Sequence, residues 1–291
     1  MKRFSVAVLL LASVIYISES IKENKDEALR TRRMVGGFLT RSHVPWQALV
    51  YITEEMQDGG FGGGALIAPQ WVLTSGRNLF ARKTQKDTKD KEPLIPKVYL
   101  GITRRSDAGP STEVAVEKVF LHPGFQNTSN FENDLALIQL KEPVTFSHTV
   151  FPIPLPENGE KQEETAGEMG IITGWGMGAL LTPAEKLKYL SLPIDYCLES
   201  YNKFCTKRSE FKENVCYGDA GGALAFLDPK TNRVYAAGIL SYDKTCSVEE
   251  HAVYMKISHY LPWIHSVMRG DSEQFSSLRA SIMNRMYANQ P

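Results

Sequence analysis

The residues Cys216-Tyr217-Gly218-Asp219-Ala220-Gly221-Gly222 set three glycines around one carboxylate and one methyl group. A methyl group cannot attack a carbonyl, so this loop has no side-chain nucleophile beside its aspartate. A second segment, Leu73-Thr74-Ser75-Gly76-Arg77-Asn78, offers a hydroxyl and a guanidinium. Arginine stays protonated at physiological pH and cannot accept a proton. Ser75 has no histidine or lysine beside it in sequence, and a serine is activated only by a base within hydrogen-bond reach. The six histidines are scattered and the four cysteines form no Cys-x-x-Cys pair. No metal site and no cofactor are expected from that spacing.

These groups must be positioned by short strands. Apolar or alternating runs occupy residues 46–52, 65–73, 97–100, 114–121, 135–140, 170–173, 187–192, 222–226, 234–241 and 252–257, with Gly, Pro, Asn and Asp between them. The pattern predicts an all-β fold, an antiparallel barrel or sandwich, rather than βαβ units. Residues 260–268 read as a helix returning an apolar face to the body. A charged insertion at 82–96 reads as an exposed loop. Beyond it all, the tail 269–291 carries Phe275, Leu278, Ile282, Met283 and Met286 at near-helical spacing, which suits either an amphipathic helix or a frayed terminus.

Composition narrows the function classes. The chain has 291 residues, 43% of them hydrophobic and 23% charged, and its formal net charge is zero. That suits a globular body with a sizeable core, and nothing in it calls for nucleic acid or an anionic membrane. Lys2 and Arg3 precede an apolar stretch at 4–17, with Ser18 and Ser20 after it. This predicts a signal peptide at 1–20, hence secretion, and an even cysteine count then suggests disulfides. Residues 21–33 read as a propeptide ending Arg30-Thr31-Arg32-Arg33, a pattern that furin-like processing proteases cut. Asn127-Thr128-Ser129 is an acceptor for N-linked glycan.

The order of motifs resembles the chymotrypsin-fold serine protease family. The matching residues are Met34-Val35-Gly36-Gly37, Pro45-Trp46-Gln47, Trp71-Val72-Leu73-Thr74, His122-Pro123, Asn133-Asp134-Leu135-Ala136-Leu137, Gly174-Trp175-Gly176 and the Cys216 loop. The resemblance implies two packed antiparallel barrels with a C-terminal helix over residues 34–268, and a cut between Arg33 and Met34. It implies that Arg77 stands where the family has its histidine base, Asn78 where it has a cysteine, and Ala220 where it has its serine. Asp134 is then the one triad member left. In a related system, losing nucleophile or base alone costs ~10⁶ in turnover; this chain is expected not to be an enzyme. Arg77 is expected either to pair with Asp134 or to turn to solvent.

The same resemblance supplies further expectations. Asp219 is the partner of a new N-terminal ammonium at Met34, or else stays hydrogen-bonded in a zymogen-like loop. Asn214 stands at the floor of the specificity pocket without charge, and Asp243 replaces a glycine in Ser241-Tyr242-Asp243-Lys244-Thr245-Cys246. The backbone donors of Gly218 and Ala220 could still hold a carbonyl or anion. The disulfides implied are Cys197–Cys205 and Cys216–Cys246.

Residues 71–80, 216–221, 235–246 and 253–256 are similar to one non-catalytic plasma branch of the family, which captures free haemoglobin and limits its oxidative chemistry. That likeness implies a broad protein–protein interface rather than a pocket, and acute-phase, antioxidant and glycoprotein character. It assigns no haemoglobin-contacting residue. Pro154 stands where two-chain members carry a linking cysteine, and no complement-control module precedes the domain, so a monomer is expected. The alternative is another inactive homologue acting as a signalling, antimicrobial or protease-decoy binder; an active hydrolase using Ser75 is a third reading.

Overall fold

The computed structural model describes residues 37–52, 60–79, 95–126, 131–156, 166–178, 182–195, 201–211, 213–229, 231–242 and 251–270. Fourteen described strands form two seven-stranded antiparallel sheets. The first contains β2 (Gln47–Tyr51), β3 (Phe61–Ala68), β4 (Trp71–Thr74), β5 (Lys97–Leu100), β6 (Glu113–Val114), β7 (Val116–Leu121) and β8 (Ala136–Leu140). Its order is β6-β5-β2-β3-β4-β8-β7, a curled half-barrel. The second is built from β9 (Met169–Gly174), β10 (Lys188–Asp195), β11 (Lys203–Thr206), β12 (Ala223–Asp228), β13 (Arg233–Tyr242) and β14 (Ala252–Lys256). In it β10 pairs with both β9 and β11, which closes a six-stranded barrel. Closure removes the exposed edges that an open sheet would leave.

The N-terminal strand β1 (Phe38–Leu39) does not join the first sheet. It crosses to pair with Tyr189 and Lys188 of β10 in the second barrel. The Gly37 N–H just before it donates to Glu213 Oε1 at 2.8 Å, a buried carboxylate. β1 thus joins the second barrel although it precedes every strand of the first sheet in the chain.

The three largest apolar clusters among the described residues organise the body. Ala48, Val50, Leu66, Val72, Val98 and Ile138 fill the first barrel. Ile172, Leu190, Leu192, Leu224 and Tyr254 fill the second, where the strict inward alternation of β10 puts every other side chain in the core. The third cluster lies between them: Leu73, Leu135 and Leu137 from one side meet Ala223, Ile239 and Met255 from the other. Helix α1 (Ile257–Met268) seals this seam with Ile257, Tyr260, Leu261, Ile264 and Val267, one face at helical spacing.

The predicted all-β architecture and the terminal helix are both present. Two of the expected runs divide. Residues 65–73 span the end of β3, a turn at Pro69-Gln70, and β4, because proline cannot donate to a ladder and turns the chain instead. The run 114–121 breaks at Ala115 into β6 and β7. Strands β1 and β11 answer to no predicted run, and the helix begins at Ile257 rather than 260. The loop at 82–94, the segments 1–36 and the tail 271–291 lie outside the described residues.

Candidate functional site at the barrel junction

Strand β4 ends in a sharp 3-10 turn, Gly76–Leu79, aimed at the seam. Gly76 sits tightly there: a Cβ would lie 3.1 Å from the Phe125 ring and 3.3 Å from Asp134 Oδ1, so either neighbour would have to give by a few tenths of an ångström. The Arg77 N–H donates to Asp134 Oδ1 at 2.6 Å, and Ser241 Oγ donates to Asp134 Oδ2 at 2.5 Å. Asp134 is fully buried. Burial pushes its carboxyl up to about 6, against the opposing pull of the Ser241 hydroxyl, the Arg77 N–H and the Arg77 charge.

The Arg77 guanidinium goes elsewhere. Its Nη1 donates to the Ser241 carbonyl at 3.1 Å, and its Cζ lies 5.0 Å from the centre of the Phe131 ring. Both sequence-level expectations for this side chain therefore need amendment. It is half-buried in the seam instead of turned to solvent, and its hydrogen bond to Asp134 comes from the backbone. Ser241 is placed by a bulge: β13 and β14 pair at Leu240–Tyr254 and Tyr242–Val253, which leaves Ser241 out of register. An extra residue of this kind re-aims its side chain and carbonyl.

Residues 131–134 form a four-residue staple across the seam. Phe131 packs on Cys205 and Val253, Glu132 Oε1 meets Lys203 Nζ at 2.5 Å, the Tyr260 hydroxyl donates to Asn133 Oδ1 at 3.1 Å, and Asp134 takes Ser241. The Lys203 side chain is buried, so its cation is neutralised within the fold. Phe131 and Asn133 adopt positive φ, at 41° and 52°. Nothing in their own sequence signals these contacts.

The Cys216 loop locks into the first barrel. The Gly63 N–H donates to the Ala220 carbonyl at 2.8 Å, and Asn78 Nδ2 donates to the same oxygen at 2.7 Å. Asn78 fits because Gly62 has no side chain: a Cβ there would lie 2.2 Å from Nδ2. Asn78 is thus a cross-barrel clamp, a role that its place as a missing cysteine did not suggest. Asp219, almost fully buried, accepts from the Gly176 N–H at 2.8 Å and the Cys216 N–H at 3.0 Å. Gly174 and Gly176 enclose it so closely that a Cβ on either would come within 2.2 Å of a carboxylate oxygen. Gly218 has φ +93° and would meet the Phe61 ring if it bore a side chain.

The structure accordingly brings Arg77, Asp134, Ala220 and Ser241 to one junction, with Asn214 fully buried nearby in the chain. A guanidinium, a carboxylate, a methyl group and a hydroxyl bonded to the carboxylate are the side chains assembled there. Ser75 is fully buried, and its Oγ has no hydrogen-bond partner among the described residues. An unpaired buried hydroxyl costs about 1–3 kcal/mol, so Ser75→Ala should stabilise the protein by about 1 kcal/mol in urea unfolding. A loss of stability would show that the hydroxyl has a partner in solution.

Cys205 and Cys216 are both disulfide-bonded. Cys197 and Cys246, together with Arg33, Met34, Asn127 and Asp243, lie outside the described residues. Among the described residues no group of three or more His, Cys, Asp or Glu could hold a metal, and no helix is long and apolar enough to cross a membrane.

Comparison with known proteins identifies the family. Residues 34–264 match the trypsin family. The chain is 34% identical over 266 residues to haptoglobin of Oryctolagus cuniculus, covering 82% of this chain and 71% of that protein. It is 34% identical over 267 residues to haptoglobin of Mesocricetus auratus, with the same shares covered. Haptoglobin of Homo sapiens is 32% identical over 272 residues, 84% of this chain and 62% of the human protein. The family match over residues 34–264 and the identity to haptoglobins over 82% of the chain leave one assignment: the chain belongs to the trypsin family, in its haptoglobin branch.

Proposed function

We propose that this protein is a secreted, non-catalytic protease homologue that binds free haemoglobin and so limits haem-iron oxidation. The observation that carries the reading is the junction itself. On the resemblance to trypsin-like proteases, Arg77 and Ala220 stand at the positions of base and nucleophile, and the chain is similar to haptoglobins over most of its length. A protein that has lost proton transfer and nucleophilic attack can still present a rigid outer surface, and protein partners are held by broad interfaces of about 1,200–2,000 Å².

Several parts of the reading concern residues beyond the described ones. The proposed order is removal of residues 1–20, cleavage between Arg33 and Met34, and capture of the new ammonium by Asp219. The Asp219 carboxylate already lies buried among backbone donors, which supports its role as an anchor. Asn127 is proposed to carry a glycan, Cys197–Cys205 and Cys216–Cys246 to be the disulfides, and the secreted form to be a monomer.

Size-exclusion chromatography of the purified protein with haemoglobin tests the partner. The expected result is one co-eluting species containing both proteins. Separate elution at micromolar concentrations of each would refute haemoglobin as the partner and favour a different inactive homologue.

A further inference from the structure

The segment leading into β10 meets residues 103–105 in a short antiparallel bridge outside the main strands. The Leu187 N–H donates to the Thr103 carbonyl at 2.7 Å, and the Arg105 N–H donates to the Glu185 carbonyl at 2.9 Å. Arg104 and Lys186 stand directly opposite each other between these two bonds. In such a pair the Cα atoms come within about 4.5 Å and the side chains leave the same face. Both residues are exposed cations. Like charges directly opposite weaken a β pairing, so the fold carries this pair at a cost.

The surroundings neither neutralise the pair nor let it drift. Among the described residues Arg104 and Lys186 form no ion pair. The nearby carboxylates are engaged elsewhere. Glu185 accepts from the Ser106 N–H at 3.0 Å and faces Arg105 Nη2 at 3.9 Å, while Asp107 accepts from the Arg104 N–H at 3.2 Å. Arg105 holds its Cζ 5.2 Å from the centre of the buried Phe61 ring, and its Nε donates to the Ala184 carbonyl at 2.9 Å. The Thr40 N–H donates to the Leu187 carbonyl at 3.0 Å, which brings the exposed Arg41 to the same neighbourhood. Phe61, Ile102, Trp175 and Leu187 pack in one buried cluster, so the backbone that carries these cations is rigid.

We propose that Arg104 and Lys186, with Arg41 and Arg105 beside them, form an anion-binding surface for an extracellular sulfated polysaccharide. A bound sulfate between the two facing cations relieves their repulsion and gains charge-assisted hydrogen bonds from both. The guanidinium fork suits a flat pair of sulfate oxygens, and the ammonium adds a point charge. The cations stand on an exposed bridge rather than in a pocket, which fits an extended polyanion crossing the surface better than one small enclosed ion. The inference rests on the reading of the chain as secreted and not on haemoglobin as its partner.

The test titrates wild type and the double variant Arg104→Gln/Lys186→Gln with a fluorescein-labelled heparin octasaccharide, read by anisotropy. Wild type is expected to bind, more weakly as ionic strength rises toward about 0.15 M, and the double variant to bind about tenfold more weakly. The control Lys97→Gln/Lys141→Gln removes two exposed cations elsewhere and should change affinity less than about twofold. No binding by wild type, or an equal loss in control and double variant, would overturn the proposal. So would binding to phosphatidylserine vesicles that the octasaccharide fails to displace. Unfolding in urea at low salt gives a second readout: the midpoint of Arg104→Gln/Lys186→Gln should not fall below that of wild type, since two facing charges have gone. A lower midpoint would show that the cations have partners within the fold, and would overturn it equally. Wild-type co-elution with haemoglobin is scored separately, so either reading can fail without the other.

Discussion

Gly221→Ala should destabilise the protein by about 3–5 kcal/mol, enough to leave little of it folded at physiological temperature. At φ +89° a Cβ would come 2.3 Å from the Gly63 carbonyl oxygen, 2.3 Å from Thr74 Oγ1 and 2.7 Å from Asn78 Nδ2. None of these can retreat cheaply. The Gly63 backbone is bonded to Ala220 at 2.8 Å, Thr74 donates back to Gly63 at 2.8 Å, and Asn78 holds Ala220 at 2.7 Å. The left-handed backbone adds its own cost for any residue with a Cβ, roughly 1–2 kcal/mol. Gly109→Ala is the matched control, because a Cβ there meets nothing within 4 Å. Urea unfolding of the two variants should differ sharply; similar midpoints would mean that the two barrels do not meet through this loop as closely as described.

Asp134→Asn should change how stability depends on pH. The folded carboxyl sits at about 6 against an ordinary value of 3.8, because burial disfavours its charge. The native state therefore binds more protons than the unfolded chain between those values. The favourable contribution is complete below about pH 4 and is lost as pH rises through about 6. A shift from 3.8 to about 6 corresponds to roughly 3 kcal/mol. The amide cannot ionise, yet its oxygen still accepts from the Arg77 N–H and its NH₂ can donate to a reoriented Ser241 hydroxyl. Wild type and variant should thus be about equally stable near pH 4, with the variant gaining about 1–3 kcal/mol by pH 7. Parallel pH profiles, or a variant that is weaker at pH 7, would contradict the assigned burial of the charge.

The two mutations also mark where sequence reading reached and where it stopped. Gly174-Trp175-Gly176 and the Cys216 loop were legible as motifs, and so were the family and the junction residues Arg77, Asp134 and Ala220. Their physical cause was not: Gly174 and Gly176 are glycines because Asp219 lies against both. Strand β3 was only half legible, since Phe61-Gly62-Gly63-Gly64 lacks the branched side chains that announce a strand. Its glycines answer to close contacts with Asn78, Gly222 and Val72. Strand β11 was missed because Lys203-Phe-Cys-Thr has a charge at an inward position, neutralised by a glutamate 71 residues away.

The staple at 131–134 was illegible for the same reason. Asn133 and Asp134 find their partners 127 and 107 residues further along the chain. Periodicity and turn chemistry report on neighbours in sequence, and these bonds join residues that meet only after the two sheets have packed together. The direction of Arg77 was beyond reach too. Sequence presented it as a charge near an aspartate, whereas the bulge at Ser241 gives its guanidinium a carbonyl to bind.

Holding without cutting is a claim about turnover, and active-site labelling addresses it most directly. Incubation of the purified protein with a fluorophosphonate probe, alongside peptide and ester substrates, should give no labelled serine and no hydrolysis above the uncatalysed background. Stoichiometric labelling of any serine, Ser75 above all, with saturable hydrolysis that the label abolishes, would contradict the account.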